Sequence, residues 1–467
     1  MIELTPTLYW FAPACALGLW VTRGWLLPLA VASSVFQAAS LINIRSGAQA
    51  NGLAPAYILL VGALLQESLR PSRRTQSGRA ASAFLSLFVA YAIVSAALSP
   101  LIFSGTRVIA PRVGMVTLTW SMSNVTQITY LLLCSGLFFA ARRTHERDAE
   151  TLLQWVLGGC TVSAVIGLYQ WLAIALGLPF PSAALYSNTT YTLFDAYRLH
   201  QLWGVSARIN ATFAEPSFAA LPYSGALAVL LARVLANRYR LWDAAAAMLI
   251  LVALLLSASS TAYLCLAVIA VGGFIRYVRN WHGGPEFRLL KLALAAAFLG
   301  TLLSVVAVPT LRVRVTGVLQ TTLFEKTKSG SYAERSQWNA AALETAQNTY
   351  YLGAGWGSSR ASSFGATLLA NVGVLGTGLF AGFVLTTMLL ALLRERLGGR
   401  ITDIGIFEGA AVTLLAHFLA VPDIVFPILW LYFGLAVRRV TPPELSAAPG
   451  EVPALLTVAL LGKHCEG

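Results

Sequence analysis

Apolar runs of about 17 to 25 residues recur along this 467-residue chain with short polar intervals between them, and that is the length a helix needs to cross hydrocarbon. They predict spans near 4–21, 26–44, 54–69, 81–103, 125–140, 152–178, 215–236, 242–257, 261–277, 291–309, 366–393, 404–420 and 424–437. The expected fold is an all-α polytopic membrane protein with about 13 transmembrane helices, within a range of 12–14. Glu3 precedes the first run, which lacks a basic leader and a small-residue cleavage site, so it reads as a retained helix. Between 242 and 277 the sequence SASSTA interrupts an apolar run too long for one crossing. Basic residues at both ends favour a hairpin of two short arms; a single tilted helix would invert half of the topology.

Two polar intervals are much longer than the others. Residues 310–365 carry Arg312, Arg314, Lys326, Lys328, Arg335 and Arg360 against Glu325, Glu334 and Glu344. Within them Ser331 and Glu334 form an S-x-x-E capping box, which predicts a helix over 331–348. Arg335 and Trp338 then share a face; the aromatic is expected to pack the helix onto the membrane domain and the guanidinium to reach inward. Gly353-Ala-Gly355-Trp356-Gly357-Ser-Ser-Arg360 follows as a turn rich in main-chain N–H groups, without the preceding buried strand of a nucleotide loop. In the other interval, 179–214, Tyr186, Tyr191, Phe194, Tyr197 and Trp203 alternate with Asn188, Asp195, Arg198, His200 and Arg208. Aromatic faces beside hydrogen-bonding groups suit sugar rings, and the same aromatics suit a membrane interface. Composition does not separate the two.

The chain therefore divides into an N-terminal transmembrane scaffold (1–178), a first long extracytoplasmic loop (179–214), central transmembrane helices (215–309), a second, partly helical loop acting as a lid (310–365), C-terminal transmembrane helices (366–439) and a cytoplasmic tail (440–467). Composition agrees: 57% of the residues are hydrophobic, only 11% are charged, and the net charge is +13. The alternation that places both long loops outside collects twenty Arg and Lys residues inside before the tail and eleven outside, six of these in 310–365. The basic balance sets orientation, and no nucleic-acid partner follows from it. Four of the five cysteines fall inside spans and none forms a CxxC pair, so no disulfide framework or thiolate metal site is expected.

Ionisable groups beside these spans are the candidates for chemistry. Arg208 lies seven residues before Glu215, and Glu-Pro-Ser opens a span, with Pro216 suited to the first helical turn. Glu215 reads either as a structural acid paired with Arg208 or as a group acting on substrate. His417 sits in an apolar helix close to Asp423, where a structural hydrogen bond and a functional role are both open.

Three patterns together resemble the O-antigen polymerase and ligase superfamily, the Wzy-type polysaccharide polymerases. They are Arg208-Ile-Asn-Ala-Thr-Phe213-Ala-Glu215-Pro216-Ser217 entering a span, Arg335-Ser-Gln-Trp338 on the outer helix, and Gly353-Ala-Gly355-Trp356-Gly357 followed by Leu-Leu-Ala-Asn371-Val-Gly373-Val-Leu-Gly376. The resemblance covers roughly residues 200–390. It implies a GT-C-like glycosyltransferase of the bacterial inner membrane with its active site on the periplasmic face. Donor and acceptor would be undecaprenyl-diphosphate-linked glycans, with a chain-length regulator as a further partner. Ligases of this superfamily carry a His after the glycine-rich turn; here the sequence reads SSRASSFGATLLANVG, without one, which favours polymerase over ligase. A flippase is the rival from another class, set back by the absence of an internal repeat. Under this resemblance Arg208 and Arg335 would stabilise the leaving diphosphate, and Glu215 would take the proton of the attacking hydroxyl. Arg314, Arg360, Arg198, His200, Trp338, Trp356 and His417 would bind substrate. Guanidinium groups make a metal unnecessary for that charge, and no cofactor is expected.

Overall fold

A computed structural model describes residues 2–46, 49–70, 78–110, 114–190, 202–203, 206–279, 330–398 and 401–438. The chain is mostly helical, and six of its described helices are long and apolar enough to cross a membrane. In chain order the helices are α1 (Thr7–Val21), α2 (Leu26–Ser33), α3 (Pro55–Leu69), α4 (Arg79–Ile102), α5 (Met122–Arg142), α6 (Glu146–Leu176), the short α7 (Ser182–Leu185), α8 (Pro216–Leu235), α9 (Leu241–Leu256), α10 (Ser260–Arg279), α11 (Gly330–Asn348), α12 (Phe364–Gly398), α13 (Ile406–Ala420) and α14 (Pro427–Ala436). The six are α4, α5, α6, α8, α10 and α12; α1, α3, α9, α13 and α14 are apolar but shorter. The span expected at 291–309 and the tail 440–467 lie outside the described residues.

The centre of the bundle is α8 and α14. All of α14 and nearly all of α8 is buried, as expected of helices apolar on every face. Close approach needs small residues: a Cβ at Gly225 of α8 would stand 2.1 Å from the Thr413 hydroxyl of α13, and one at Gly409 of α13 would stand 3.3 Å from the Gly225 carbonyl oxygen. Around them runs a chain of ring contacts. Phe88, Phe380, Phe383, Trp430 and Phe433 meet at centroid separations of 5.2–6.4 Å, each worth about 0.5–1.5 kcal/mol beyond its burial.

The chain reverses at 257–259. Ile209 N–H donates to the Leu256 carbonyl at 3.3 Å, so α9 ends beside the start of α8, whereas Gly273 near the end of α10 faces Leu231 and Leu235 at the end of α8. The interrupted run 242–277 is therefore a hairpin, with Ala258 at φ 46° in the turn.

The two ends of the bundle differ. At one, several cations are held by acids: Arg233 grips Glu150 through two hydrogen bonds of 3.0 and 2.6 Å, Arg276 bridges Glu395 and Glu408, and Arg438 meets Asp403 at 2.9 Å. At the other, three small antiparallel sheets close the bundle. They are β1–β2–β3 (Ile2–Leu4, Ile42–Ser46, Gln49–Leu53), β4–β5 (Arg107–Ala110, Gly114–Thr117) and β6–β7 (Leu202–Trp203, Ser206–Ala207). None of these strands was expected from the apolar pattern. They also correct the span at 26–44, because α2 stops at Ser33. Ser33 and Ser34 hydroxyls donate back to the Ala30 and Val31 carbonyls, and residues beyond them bond to other loops, Ala38 N–H to Thr212 and Asn188 N–H to Ala38. Serine back-bonding competes with continuation of the helix.

The feature that shapes the strand end is a break in α12. Gly373 adopts φ 60°, ψ −164°, and the helix is interrupted there. In an unbroken helix Val374 N–H would donate to the Ala370 carbonyl. Instead Ala354 N–H takes that carbonyl at 2.8 Å, Gly355 N–H takes Asn371 at 2.9 Å, and Val374 N–H turns to the Tyr351 carbonyl at 2.9 Å. The glycine turn thus supplies partners for two carbonyls and one N–H group at the break. Only glycine permits the approach: a Cβ at Gly373 would stand 2.0 Å from the Tyr351 oxygen, and one at Gly353 would stand 2.4 Å from the Asn371 oxygen. Gly373→Ala should lower stability by about 3 kcal/mol. Gly378→Ala, on the same helix with nothing within 4 Å of its Cβ, should stay within about 1 kcal/mol of the parent. Heat unfolding of detergent-solubilised protein compares them, and equal midpoints would show that the break is dispensable.

Candidate functional site

The glycine turn presents a pocket between α5, α12 and the α13–α14 connection, lined by Ser123, Gln127, Trp356, Ser359, Arg360, Asn371 and Asp423 among others. Asn371 organises it. Its side-chain oxygen accepts from Ser358 N–H at 3.0 Å and Ser359 N–H at 3.1 Å, and its amide donates to the Ser359 and Thr367 carbonyls at 2.6 and 2.7 Å. Asn124, capping α5, donates to the Trp356 carbonyl and the Ser358 hydroxyl, both at 2.8 Å. Trp356 is buried with its ring edge-on to Phe88 at 5.7 Å, which ties the turn to the aromatic core. Arg360 N–H donates to the Ile109 carbonyl of β4 at 2.9 Å, and its guanidinium meets the Asp423 carboxylate at 3.0 Å.

Two expectations change here. Asp423 is spent on Arg360, and neither ring nitrogen of the buried His417 finds a partner of hydrogen-bond geometry, although the Asp423 main chain lies beside the ring. Arg360 is thus a neutralised cation. Trp338 does not pack α11 down; it is 42% exposed, and the buried stripe of α11 is Ala342, Thr345 and Ala346, continued by Thr349 just beyond its end. Small residues let the helix lie close, with Asn339 accepting from Ser362 N–H at 3.1 Å and Ser363 N–H at 2.9 Å. Arg335, one turn before Asn339, is half-buried on that side.

Arg208 and Glu215 bound a non-helical segment sunk into the same end. Gln170 of α6 accepts from Asn210 and Ala211 N–H groups at 3.1 and 2.9 Å and donates to the Asn210 side chain at 2.7 Å. Ala211 sits at φ 53°, and the Thr212 hydroxyl donates to Val35 at 2.6 Å. Non-helical backbone survives in apolar surroundings only when satisfied in this way. Glu215 is the N-cap of α8, extended at φ −141°, ψ 152° as the residue before proline must be. Its exposed carboxylate accepts from the Ser217 hydroxyl at 3.2 Å and makes no cap bond. Arg208 Nε donates to the Ser257 carbonyl at 3.3 Å. Burial lowers the Arg208 pKa, with the nearby charge of Glu215 acting the other way. Among the described residues Arg208 and Arg335 join no ion pair, so the structural pairing of Glu215 with Arg208 is not made at contact distance.

Aromatic contacts connect the two regions: Phe213 stacks on Phe426 at 6.4 Å, and Phe426 meets His417 at 6.3 Å. Of the candidates read from sequence, Trp356 and Arg360 share the pocket, His417 lies beneath it, and Arg208, Glu215, Arg335 and Trp338 occupy the same end. Arg198, His200 and Arg314 lie outside the described residues. Sequence reasoning missed Asn124, Gln127, Asn339 and Asp423 as parts of the site. Asparagine in apolar helices was the signal available for Asn124 and Asn371. Among the described residues no three His, Cys, Asp or Glu side chains gather as a metal-binding group. Compared with known proteins, the sequence matches no family model and no curated protein.

Asn371→Ala removes four buried hydrogen bonds and should cost about 2–4 kcal/mol of stability. Asn371→Asp keeps the acceptor for the two serine N–H groups but sets a carboxylate against two carbonyls, so it should be no better. Unfolding midpoints of both variants near the parent value would show that the turn is held by other contacts.

Proposed function

We propose that the chain is a membrane glycosyltransferase of the bacterial inner membrane that polymerises undecaprenyl-diphosphate-linked repeat units into a surface polysaccharide. The observation that carries this is the interlock of 353–357 with 370–374, two of the stretches on which the family resemblance rests. It supports treating them as one built unit. The same unit argues against a flippase, because the Ala370 and Asn371 carbonyls at the break accept from Ala354 and Gly355 N–H groups and are not open to a coupling ion.

In this proposal thirteen spans of a GT-C-like fold place the strand end outside the membrane, with the ion-paired end in the cytoplasm. An acceptor sugar hydroxyl attacks the anomeric carbon of the donor. Its oxygen forms the new glycosidic bond as the bond to the diphosphate oxygen breaks, the undecaprenyl diphosphate leaving with the electron pair and Glu215 taking the hydroxyl proton. Arg208 and Arg335 suit the leaving charge because no acid at contact distance neutralises them among the described residues. The charge of Arg360 is already offset by Asp423.

Deletion of the gene tests the reaction: single repeat units on lipid A core, or single lipid-linked units outside the membrane, are the expected outcome. Full-length chains stranded on undecaprenyl diphosphate would indicate ligase, and units trapped on the cytoplasmic side a flippase. Arg208→Ala and Arg335→Ala should each reduce polymer synthesis about 100-fold or more with the protein still inserted. Normal chain lengths in both would sink the diphosphate clamp. Glu215→Gln should yield stable protein with a similar loss; failure to accumulate would instead mark Glu215 as structural.

A further inference from the structure

The pocket at the glycine turn holds two buried donors with nothing to donate to. Trp356 is 6% exposed and Ser359 is 3% exposed, both line the pocket, and among the described residues neither Trp356 Nε1 nor Ser359 Oγ has a hydrogen-bond partner. Such orphans are costly, and native proteins keep few of them. The Arg360–Asp423 pair, at 3.0 Å, and Gln127 line the same pocket. The indole N–H requires an acceptor oxygen. The carboxylate requires a donor, and the serine hydroxyl serves as either. A hydroxyl group meets all three needs at once. A phosphate oxygen would serve the indole and the serine but offers the carboxylate no donor, and it would approach a carboxylate whose charge cancels that of Arg360.

We infer that this pocket, whose volume of about 20 Å³ admits a hydroxyl but not a ring, takes a hydroxyl of a neutral, hydroxyl-rich group seated at its mouth, the terminal sugar of the acceptor glycan, and is distinct from the site of the diphosphate. The inference rests on the glycosyltransferase reading and adds a division of labour to it. Trp356 Nε1–H and Ser359 Oγ–H donate to sugar oxygens, Asp423 accepts from a sugar hydroxyl, and Arg360 fixes the carboxylate for that contact. The guanidinium is then a positioning group, and the anionic half of the substrate is left to Arg208 and Arg335.

The test uses the full chain in detergent and, as probe, the oligosaccharide released by mild acid from the lipid-linked units of the deletion strain, so that it carries no phosphate. Titration calorimetry should show binding that inorganic pyrophosphate at equal concentration does not displace. Trp356→Phe, which keeps the ring but not the N–H, and Ser359→Ala should each weaken that binding about tenfold. No binding by the parent protein, displacement by pyrophosphate, or unchanged affinity in both variants would each overturn the assignment, the first meaning that the pocket holds only water. These results are separable from the wider reading. Shortened surface glycan in the deletion strain with no Trp356-dependent binding overturns the pocket alone, and unchanged glycan overturns both.

Discussion

A helix interrupted inside apolar surroundings leaves main-chain carbonyls and N–H groups that water does not reach, and each one unpaired costs several kcal/mol. At Gly373 the protein meets this by bringing another stretch of backbone into the gap. The 351–355 segment supplies two N–H groups and one carbonyl to the backbone at the break. This exchange fixes where Trp356 and Arg360 can lie, because the turn has no freedom left once its backbone is committed. The pocket follows from the repair of the helix.

The same logic recurs in the 208–215 segment, where one glutamine of α6 satisfies two main-chain N–H groups and an asparagine side chain. Both non-helical segments enter the bundle at the strand end, and both are held by neutral amide side chains: Gln170, Asn124, Asn339 and Asn371. Amides both donate and accept, so one side chain can close two deficits without importing charge. At the opposite end the work is done by charge. Arg233 and Arg276 are matched by carboxylates from other helices and Arg438 by Asp403 in the turn before α13, so these segments are tied together. Buried pairs of this kind add little net stability but are costly to break, which favours one arrangement of the helix ends over others. Arg208 and Arg335, which have no contacting acid among the described residues, lie at the end with the broken helix and the pocket.

The aromatic core links these regions mechanically. Trp356 leans on Phe88, which meets Phe380 and through it Phe383 and Trp430; on the other side Phe213 stacks on Phe426 beside His417. Two segments far apart in sequence are thereby set against one rigid mass of rings, which is what a site built from loops requires if its groups are to hold position.

The sequence by itself determined the membrane class, most helix positions and the presence of the helix Gly330–Asn348, because apolar length, proline position and helix-forming stretches are local properties written into consecutive residues. It also marked Gly353, Gly355, Asn371 and Gly373 as a connected pattern, since glycine and asparagine within apolar stretches are conspicuous. Only the tertiary structure decided what those residues do. That Val374 bonds to Tyr351, that Asp423 spends its charge on Arg360, that Trp338 faces outward and that residues 34–41 leave the helix for other loops all depend on partners distant in the chain. Hydrogen bonds and ion pairs are satisfied in space, and no periodicity along the chain records which distant group will arrive to satisfy them.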